Sequence, residues 1–312
     1  MASLRLAAAV TLCDAGFFVT GDIAFIAVSA VTLACIYGLL ALGVSIVFSS
    51  LGLINMAHGF SFALAGYGAW LAAQHLSASA PVVLGAGLAT GALSGLVIGG
   101  IAFIPLHDKP NFIVRSLIAT LAISLLGSQA LLALFGPNAK SLPALFGSAN
   151  IEWAGLSLPP DKLGAIACSL ALMGATLLWM TKSRMGLGIR AMMQNPEGAA
   201  LVGIGVRGTA LAVMAVTGAL AGLAAVLLSQ TYFVSPFAGT TPLVKGLIVA
   251  LCGGLGSVPG ALIAAALVGL VEALTGALIG GQYVLMTQFG FIILVLLVRP
   301  RGIAGLLDHT RE

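Results

Sequence analysis

Two ionisable side chains of this chain stand inside long apolar stretches. Lys245 lies four residues into one stretch, and Glu272 lies deep within VGLVEALTG. An ionised group in such surroundings costs at least about 3 kcal/mol, so residues of this kind face a cavity or the interior of a helix bundle. There they bind a polar solute or an ion, or they pair with each other and fix helix packing. Lys245 also lies near the end of its stretch, where its side chain can extend outward to water, and the sequence leaves these alternatives open.

Two further residues have types that serve in nucleophilic catalysis. Ser257 in GLGSV and His58 in NMAHG would be the nucleophile and the base of an intramembrane serine hydrolase. Val258 follows the serine where such a site has a small residue, so the pattern gives hydrolysis little support. The four cysteines are scattered without CxxC spacing, and no His, Asp and Glu residues cluster at ligand spacing. The sequence therefore predicts neither a disulfide framework nor a metal site.

The composition identifies the elements that must position these residues. Of the 312 residues, 60% are hydrophobic and 7% are charged, and the mean hydropathy is +1.15. A soluble protein with so few charges would aggregate, whereas the 41 glycines suit helices that pack closely in lipid. We predict an all-α polytopic integral membrane protein with about eight or nine transmembrane helices, some broken or re-entrant, and no soluble catalytic domain. The candidate spans are 23–48, 57–76, 81–104, 112–136, 163–181, 209–230, 241–256, 259–280 and 284–298.

The basic residues divide unequally between the two sides of nine such crossings. One side has Lys109, Arg115, Lys182, Arg184, Arg190, Arg207, Arg299, Arg301 and Arg311, and the other has Arg5, Lys140 and Lys162. By the positive-inside rule the larger set is cytoplasmic, which predicts an external N-terminus and a cytoplasmic C-terminus. The chain then divides into an extracytoplasmic or interfacial segment 1–22, a transmembrane domain 23–298 and a cytoplasmic tail 299–312. The domain includes an external loop 137–162, whose Pro and Gly content argues against a regular helix.

Two sequence breaks interrupt the apolar pattern. GLINMAHGF at 52–60 is placed by its flanks near the cytoplasmic boundary, and CGGLGSVPGAL at 252–262 has too many glycines to sustain a helix. Breaks at membrane depth are tolerated inside protein or beside a water-filled cavity, and they mark transport routes. The residues predicted to line such a route or its gate are Asn55, His58, Lys245, Gly253, Gly254, Ser257 and Glu272. The alternatives are a turn that satisfies its own backbone at 52–60 and tight helix packing at 252–262.

Breaks in both halves also favour an internal repeat that relates 30–105 to 210–280, although the self-similarity is too weak to establish it.

The longest basic loop, 182–208, has the pattern of a helix, a break and a second helix. Residues 187–194 can form the first helix, Asn195-Pro196-Glu197 is typical of a helix start, and Gly203 and Gly205 can close the second. Such a segment at the membrane surface suits contact with a soluble partner. A plain connector whose basic residues touch anionic lipid is the alternative.

Several motifs resemble the permeases of branched-chain amino acid ABC importers, the Liv type. They are RMGLGIRAMMQNPEGAALVGI with the following VTGALAGLAAVLL, GLINMAHG at 52–59, SPFAGTTPLVKGLIVALCGGLGSVPGALIAAALVGLVEAL at 235–274 and FGFIILVLLVRPRGIAG at 289–305. In that family an acidic residue usually follows the GLINMAHG motif, whereas Phe60 stands here. The resemblance implies an ABC importer permease fold and a coupling element at 184–204 seated on an ATPase. Its coupling residues would be Arg184, Arg190, Asn195, Glu197 and Arg207.

The resemblance also implies a set of partners and a location. The chain has no GxxxxGK[ST] motif, so ATP hydrolysis is expected on two separate cytoplasmic ATPase subunits, with no cofactor bound by this chain and no enzyme activity of its own. A second, similar permease subunit, an external solute-binding protein and the bilayer complete the set, without nucleic acid, in the bacterial cytoplasmic (inner) membrane. The implied substrates are leucine, isoleucine or valine, while relatives carry urea, short amides or aromatic acids. An ion-driven secondary carrier is a further alternative, for which only Glu272 offers a membrane carboxylate.

Overall fold

A computed structural model describes residues 2–107, 109–147, 151–153 and 156–304, with side chains at 24–107, 109–147 and 158–304. The predicted tail 299–312 therefore lies outside the described residues from 305 onward, as do the side chains of segment 1–22. The helices are α1 (Ala2–Leu51), α2 (His58–His75), α3 (Ala80–Ile98), α4 (Phe112–Phe135), α5 (Pro160–Lys182), α6 (Arg184–Gln194), α7 (Pro196–Leu201), α8 (Val206–Leu228), α9 (Thr240–Gly253), α10 (Val258–Leu278) and α11 (Val284–Val298). A π-helical turn, Gly99–Phe103, extends α3, and a 3-10 turn, Gly281–Tyr283, precedes α11.

Each of the nine candidate spans corresponds to one of these helices. Within the described residues, seven helical stretches are long and apolar enough to cross a membrane, and α9 is a shorter apolar helix. The all-α membrane fold is thus confirmed. The backbone of α1 is helical from Ala2 to Leu51, so the helix of the first candidate span begins within segment 1–22.

The helices form two similar triplets, α1–α3 and α8–α10. The most extensive interhelical contacts join α3 to α8 and α1 to α10, so the third helix of each triplet packs on the first helix of the other. In the same way α2 contacts α8 and α9 contacts α1. The Ser29 hydroxyl accepts a hydrogen bond from Lys162, and Gly38 faces Met173, so α1 runs parallel to α5. Since α5 ends and α8 begins at the short helices α6 and α7, α8 runs opposite to α1, and this is the arrangement of an inverted repeat. The internal repeat that sequence similarity could not establish is present in the packing.

Small residues make the contact between α3 and α8 close. A Cβ atom added to Gly91 would meet the carbonyl oxygen of Gly218, and one added to Gly222 would meet that of Gly87. The other triplet uses the same device, since a Cβ on Gly269 of α10 would lie 2.6 Å from the backbone nitrogen of Ala34 in α1. Helices in lipid have no hydrophobic driving force to associate, and van der Waals contact between such close backbones takes its place.

The loop between α4 and α5 has no helix in its described part, as its Pro and Gly content predicted. It contains a two-stranded antiparallel hairpin of β1 (Ile151–Trp153) and β2 (Leu156–Leu158), in which Trp153 pairs with Leu156. Lys140 of the same loop forms a β-bridge with Val234. The bridge therefore joins this loop to the connection between α8 and α9.

Candidate translocation site and coupling segment

Two breaks, one in each triplet, meet inside the helix bundle. The first is the turn 52–57 between α1 and α2, and the second is the connection 229–239 between α8 and α9. Their ends touch, because a Cβ on Gly59 would lie 2.7 Å from the carbonyl oxygen of Gly239, and one on Gly239 would meet that of Gly59. The helices that begin there, α2 and α9, are equivalent members of the two triplets. Their N-terminal ends thus lie where the two halves of the repeat meet.

The end of the first break lies deeper than the sequence indicated. His58 packs against Gly43, whose added Cβ would lie 3.1 Å from the imidazole Cε1 and 3.6 Å from the Cβ of Thr217 in the middle of α8. Gly43 precedes the end of α1 by eight residues, which is about 12 Å of helix. The turn therefore folds back along α1 before α2 begins, so the end of this break lies inside the bundle.

Asn55 and His58, both predicted to line the route or its gate, have different surroundings. The Asn55 side-chain oxygen accepts a hydrogen bond from the Ala57 backbone nitrogen at 3.0 Å, as expected of a turn that satisfies its own backbone. His58 is 2% exposed, and its Nε2 atom has no hydrogen-bond partner among the described residues. Of these two side chains, His58 is the one with unused hydrogen-bonding capacity at the meeting point.

Lys245 and Glu272 form a buried ion pair, which answers the question that the sequence left open. The Lys245 Nζ atom lies 2.7 Å from Glu272 Oε1, and the two residues are 8% and 6% exposed. Lys245 also donates to the Tyr37 hydroxyl at 2.8 Å, and Gln288 Nε2 donates to Glu272 Oε2 at 2.7 Å. The lysine side chain therefore points into the bundle and does not extend outward to water. The cluster joins α1, α9, α10 and α11.

Sequence reasoning missed Tyr37 and Gln288 as members of this cluster. Gln288 is a polar residue within the apolar sequence VLMTQFGFIILVLLV of α11, which is the same signal that identified Lys245 and Glu272. Tyr37 gave no such signal, because a tyrosine among apolar residues is typical of an ordinary packed helix.

Two cavities flank the ion pair and share Lys245 and Tyr232 in their walls. The first, here called the Glu272 cavity, has a volume of about 370 Å³ and is lined by both members of the pair together with Phe25, Leu33 and Val284. The second, the Tyr37 cavity, has a volume of about 450 Å³ and is lined by Phe62, Ser235 and Pro242 besides Tyr37. Both volumes fall within the range of small-molecule sites.

The turn between α9 and α10 has surroundings unlike those of the two deep breaks. Gly253 packs directly against Gly260, and the backbone nitrogen atoms of Ile303 and Ala304 donate to the carbonyls of Cys252 and Gly253. The Ser257 hydroxyl accepts a hydrogen bond from the Gly260 nitrogen at 3.2 Å and so caps α10. Gly254, at φ +95°, closes the end of α9. These contacts are those of a tightly packed turn, and with its hydroxyl used as a helix cap Ser257 gives the serine-hydrolase hypothesis no support.

The loop 182–208 has the predicted helix, break and helix. Ser183 caps α6 through the Gly186 nitrogen, and Asn195 caps α7 through the Gly198 nitrogen, each at 2.9 Å. Gly203, at φ +87°, ends the segment, where glycine accommodates the left-handed backbone. The two short helices contact each other and α8.

The basic and acidic side chains of this segment are not equally available to a partner. Arg184, Glu197 and Arg207 are exposed. Arg190 is half-buried, and its guanidinium donates to the Thr181 carbonyl at the end of α5 at 3.2 Å. Arg190 thus attaches α6 to the membrane domain. Two large apolar side chains on the same segment, Leu201 and Val202, are 89% and 78% exposed.

Known proteins resemble this chain over nearly its whole length. Residues 26–298 match the family model described as branched-chain amino acid transport system / permease component. The permease BraD of a high-affinity branched-chain amino acid transport system of Pseudomonas aeruginosa is 30% identical over 89% of this chain and 94% of its own length. LivH of Escherichia coli K12, with the same description, is 30% identical over 88% and 93%. A solved structure, PsaBC from Streptococcus pneumoniae in complex with Fab, aligns with 91% of this chain and 94% of that chain at a TM-score of 0.49 and 14% identity. By the family match and the relatives at 30% identity, the chain belongs to the family of branched-chain amino acid transport system permease components.

Proposed function

We propose that the chain is one of two permease subunits of an ATP-driven importer for branched-chain amino acids in a bacterial cytoplasmic membrane. BraD and LivH, which align with this chain over about nine-tenths of their own length, are permease proteins of high-affinity branched-chain amino acid transport systems. The observation that supports the proposal most directly is the meeting of two broken, inverted halves beside a buried polar cluster and two cavities. Transporters built from inverted repeats bind their solutes at such discontinuous helices.

The orientation in this proposal follows from charge. The loop 182–208 and the turn between α9 and α10 are cytoplasmic, and the hairpin loop with the connection 229–239 faces the external solute-binding protein. The bridge between Lys140 and Val234 agrees with this, because it needs both connections on the same side. The N-terminus is then external and the C-terminus cytoplasmic.

In the proposed complex, α6 and α7 transmit the motion of a cytoplasmic ATPase subunit. The exposed Leu201 and Val202 extend from the end of α7, and Arg184 and Glu197 supply charges on the same segment. Apolar side chains with charged neighbours are typical of a protein interface. A connector that only touches anionic lipid headgroups would need basic residues alone. The exposed carboxylate of Glu197 therefore favours a protein partner.

The docking proposal is tested by replacing Leu201 with Ser and Glu197 with Lys in the complex formed with the subunits encoded beside this gene. We expect each variant to insert normally but to lower leucine-stimulated ATP hydrolysis and uptake by about tenfold, the effect of losing about 1.4 kcal/mol at an interface. Leu76→Ser is the matched control, because Leu76 is 77% exposed but lies at the end of α2, outside the segment 182–208. Normal coupling in both variants would contradict the docking assignment.

The substrate is tested by ATP-dependent uptake in proteoliposomes that hold the whole complex and its binding protein. Leucine, isoleucine and valine should accumulate, whereas urea, short amides and aromatic acids should not. Accumulation of any of the latter group alone would replace the substrate assignment. Uptake by this chain without ATPase subunits would establish an ion-driven carrier and overturn the proposal.

A further inference from the structure

The two triplets have the same packing, but within the side chains that the structure describes only one of them has a charged cluster. Helices α2 and α3 contain no Lys, Arg, Asp or Glu, whereas their equivalents α9 and α10 contribute Lys245 and Glu272. Counted from the contact of Gly59 with Gly239, the position equivalent to Lys245 is Ala65, which is fully buried without any charge. The fold therefore packs one triplet with apolar residues alone at the place where the other has an ion pair.

A buried ion pair is a costly way to join two helices. The desolvation of both charges offsets much of their attraction, and apolar replacements of similar size are often as stable. Here the apolar solution already exists in α2 and α3. The pair thus has a reason other than packing, and the cavity that both of its members line indicates what that reason is.

We infer that Lys245 and Glu272 are an exchangeable ion pair that binds the zwitterionic backbone of an amino acid, Lys245 taking the carboxylate and Glu272 the ammonium group. The inference rests on the proposed function and assigns the substrate contacts within it. The pair opens as the ligand enters, and each protein charge exchanges one partner for another of the same sign. Four charges of alternating sign then occupy the Glu272 cavity, and no charge is left without a partner.

The surroundings of the pair suit this exchange. The Tyr37 hydroxyl stays on Lys245 and Gln288 stays on Glu272, so each charge keeps one hydrogen bond while the other partner changes. Phe25, Leu33 and Val284 form an apolar wall of the same cavity, which suits an aliphatic side chain. A neutral amide or urea has no charge, so it would leave both Lys245 and Glu272 unpaired in the opened pair. A 2-oxo acid or an amine has one charge, so it would leave one of them unpaired.

The first experiment measures equilibrium binding of tritiated leucine to the detergent-solubilised complex, without ATP and without the binding protein. Unlabelled leucine should displace the label, whereas 4-methyl-2-oxopentanoate, which lacks the ammonium group, and 3-methylbutylamine, which lacks the carboxylate, should compete about tenfold or more less well, because each loses a hydrogen bond to a charged group. Equal competition by either analogue would overturn the inference.

The second experiment separates binding from packing with the variant Lys245→Met/Glu272→Gln, which removes both charges together. If the ion pair serves only packing, the neutral side chains take its place and leucine binding is retained. The inference requires that the double variant assembles but binds leucine about tenfold or more weakly. A Kd for leucine within about twofold of that of the unaltered complex would overturn it, because the expected tenfold change corresponds to about 1.4 kcal/mol.

A third variant blocks the cavity and leaves the pair intact. A Cβ atom added at Gly276, in the wall of the Glu272 cavity, meets nothing within 4 Å, so Gly276→Leu starts its larger side chain in open space at the cavity wall. We expect it to weaken leucine binding, while Gly85→Leu, which is also free of contacts but lies in α3, leaves binding unchanged. If the unaltered complex imports leucine but these variants bind normally, the proposed function stands and the inference fails. If the unaltered complex does not import amino acids, the proposed function itself fails.

Discussion

The triplet α1–α3 and the triplet α8–α10 solve the same packing problem with different residues. Both rely on close backbone contact, at Gly91 and Gly218 in one crossing and at Gly269 and Ala34 in the other. In the described part of the chain, only the second adds a buried ion pair, Lys245 with Glu272. What the two triplets share is therefore what the fold requires, and what differs between them is available for function.

The largest effect is expected from substitutions at the close contacts. Gly91→Leu and Gly269→Leu each drive a side chain into the backbone of the facing helix, which cannot move aside as a flexible side chain can. We expect each to lower the free energy of unfolding by about 3 kcal/mol or more, the upper end of the usual cost of overpacking. SDS titration of the purified protein in mixed micelles measures this quantity.

Each triplet offers a matched control for that experiment. Gly85 in α3 and Gly276 in α10 have open space around an added Cβ, so Gly85→Leu and Gly276→Leu should leave the stability near that of the unaltered protein. A stable Gly91→Leu variant beside an unstable Gly269→Leu variant would show that the two crossings are not equivalent. The α3–α8 and α1–α10 crossings could then not be treated as equivalent contacts of an inverted repeat.

A smaller effect, confined to the second triplet, is expected at the ion pair. Glu272→Gln leaves Lys245 buried with the Tyr37 hydroxyl still bonded to it. Removal of one member of a buried pair usually costs about 3 kcal/mol or more, and because this polar contact remains we expect a loss of about 2 kcal/mol. The double variant Lys245→Met/Glu272→Gln should recover most of that loss, since it leaves no unpaired charge. The same titration measures both, and a double variant less stable than the single one would mean that the pair is needed for packing after all.

The sequence predicted the helices well because their signals are local. Each of the nine apolar stretches coincides with a helix, and the Asn195-Pro196-Glu197 pattern located the start of α7. The depth of the connection 229–239 was missed, because it depends on Gly239 meeting Gly59 across 180 residues. The glycine-rich sequence at 252–262 gave the stronger local signal for a break, yet it forms a turn at the ends of α9 and α10. A break in sequence therefore does not reveal its depth in the fold.

The candidate site was predicted only in part, because the sequence shows local signals but not the contacts between helices. Lys245 and Glu272 were identified one at a time, because a charge in an apolar stretch is costly wherever it lies. Their pairing across 27 residues, and the contribution of Tyr37 from 208 residues away, depend on which faces of α1, α9 and α10 meet. Helix periodicity within one apolar stretch carries no information on that.

The smallest predicted difference between the triplets is at the start of their third helices. Ser257 caps α10 through the Gly260 nitrogen, whereas Ser79, at the equivalent position before α3, makes no side-chain cap. Loss of an N-cap hydrogen bond costs about 1 kcal/mol, so Ser257→Ala should lower the free energy of unfolding by that amount and Ser79→Ala should change it little. Ser257 was also predicted to line the transport route, and the same variant tests that role through leucine uptake. A loss of uptake much larger than the loss of stability explains would assign Ser257 to the route, whereas a parallel loss of both would leave it as the cap that the geometry shows.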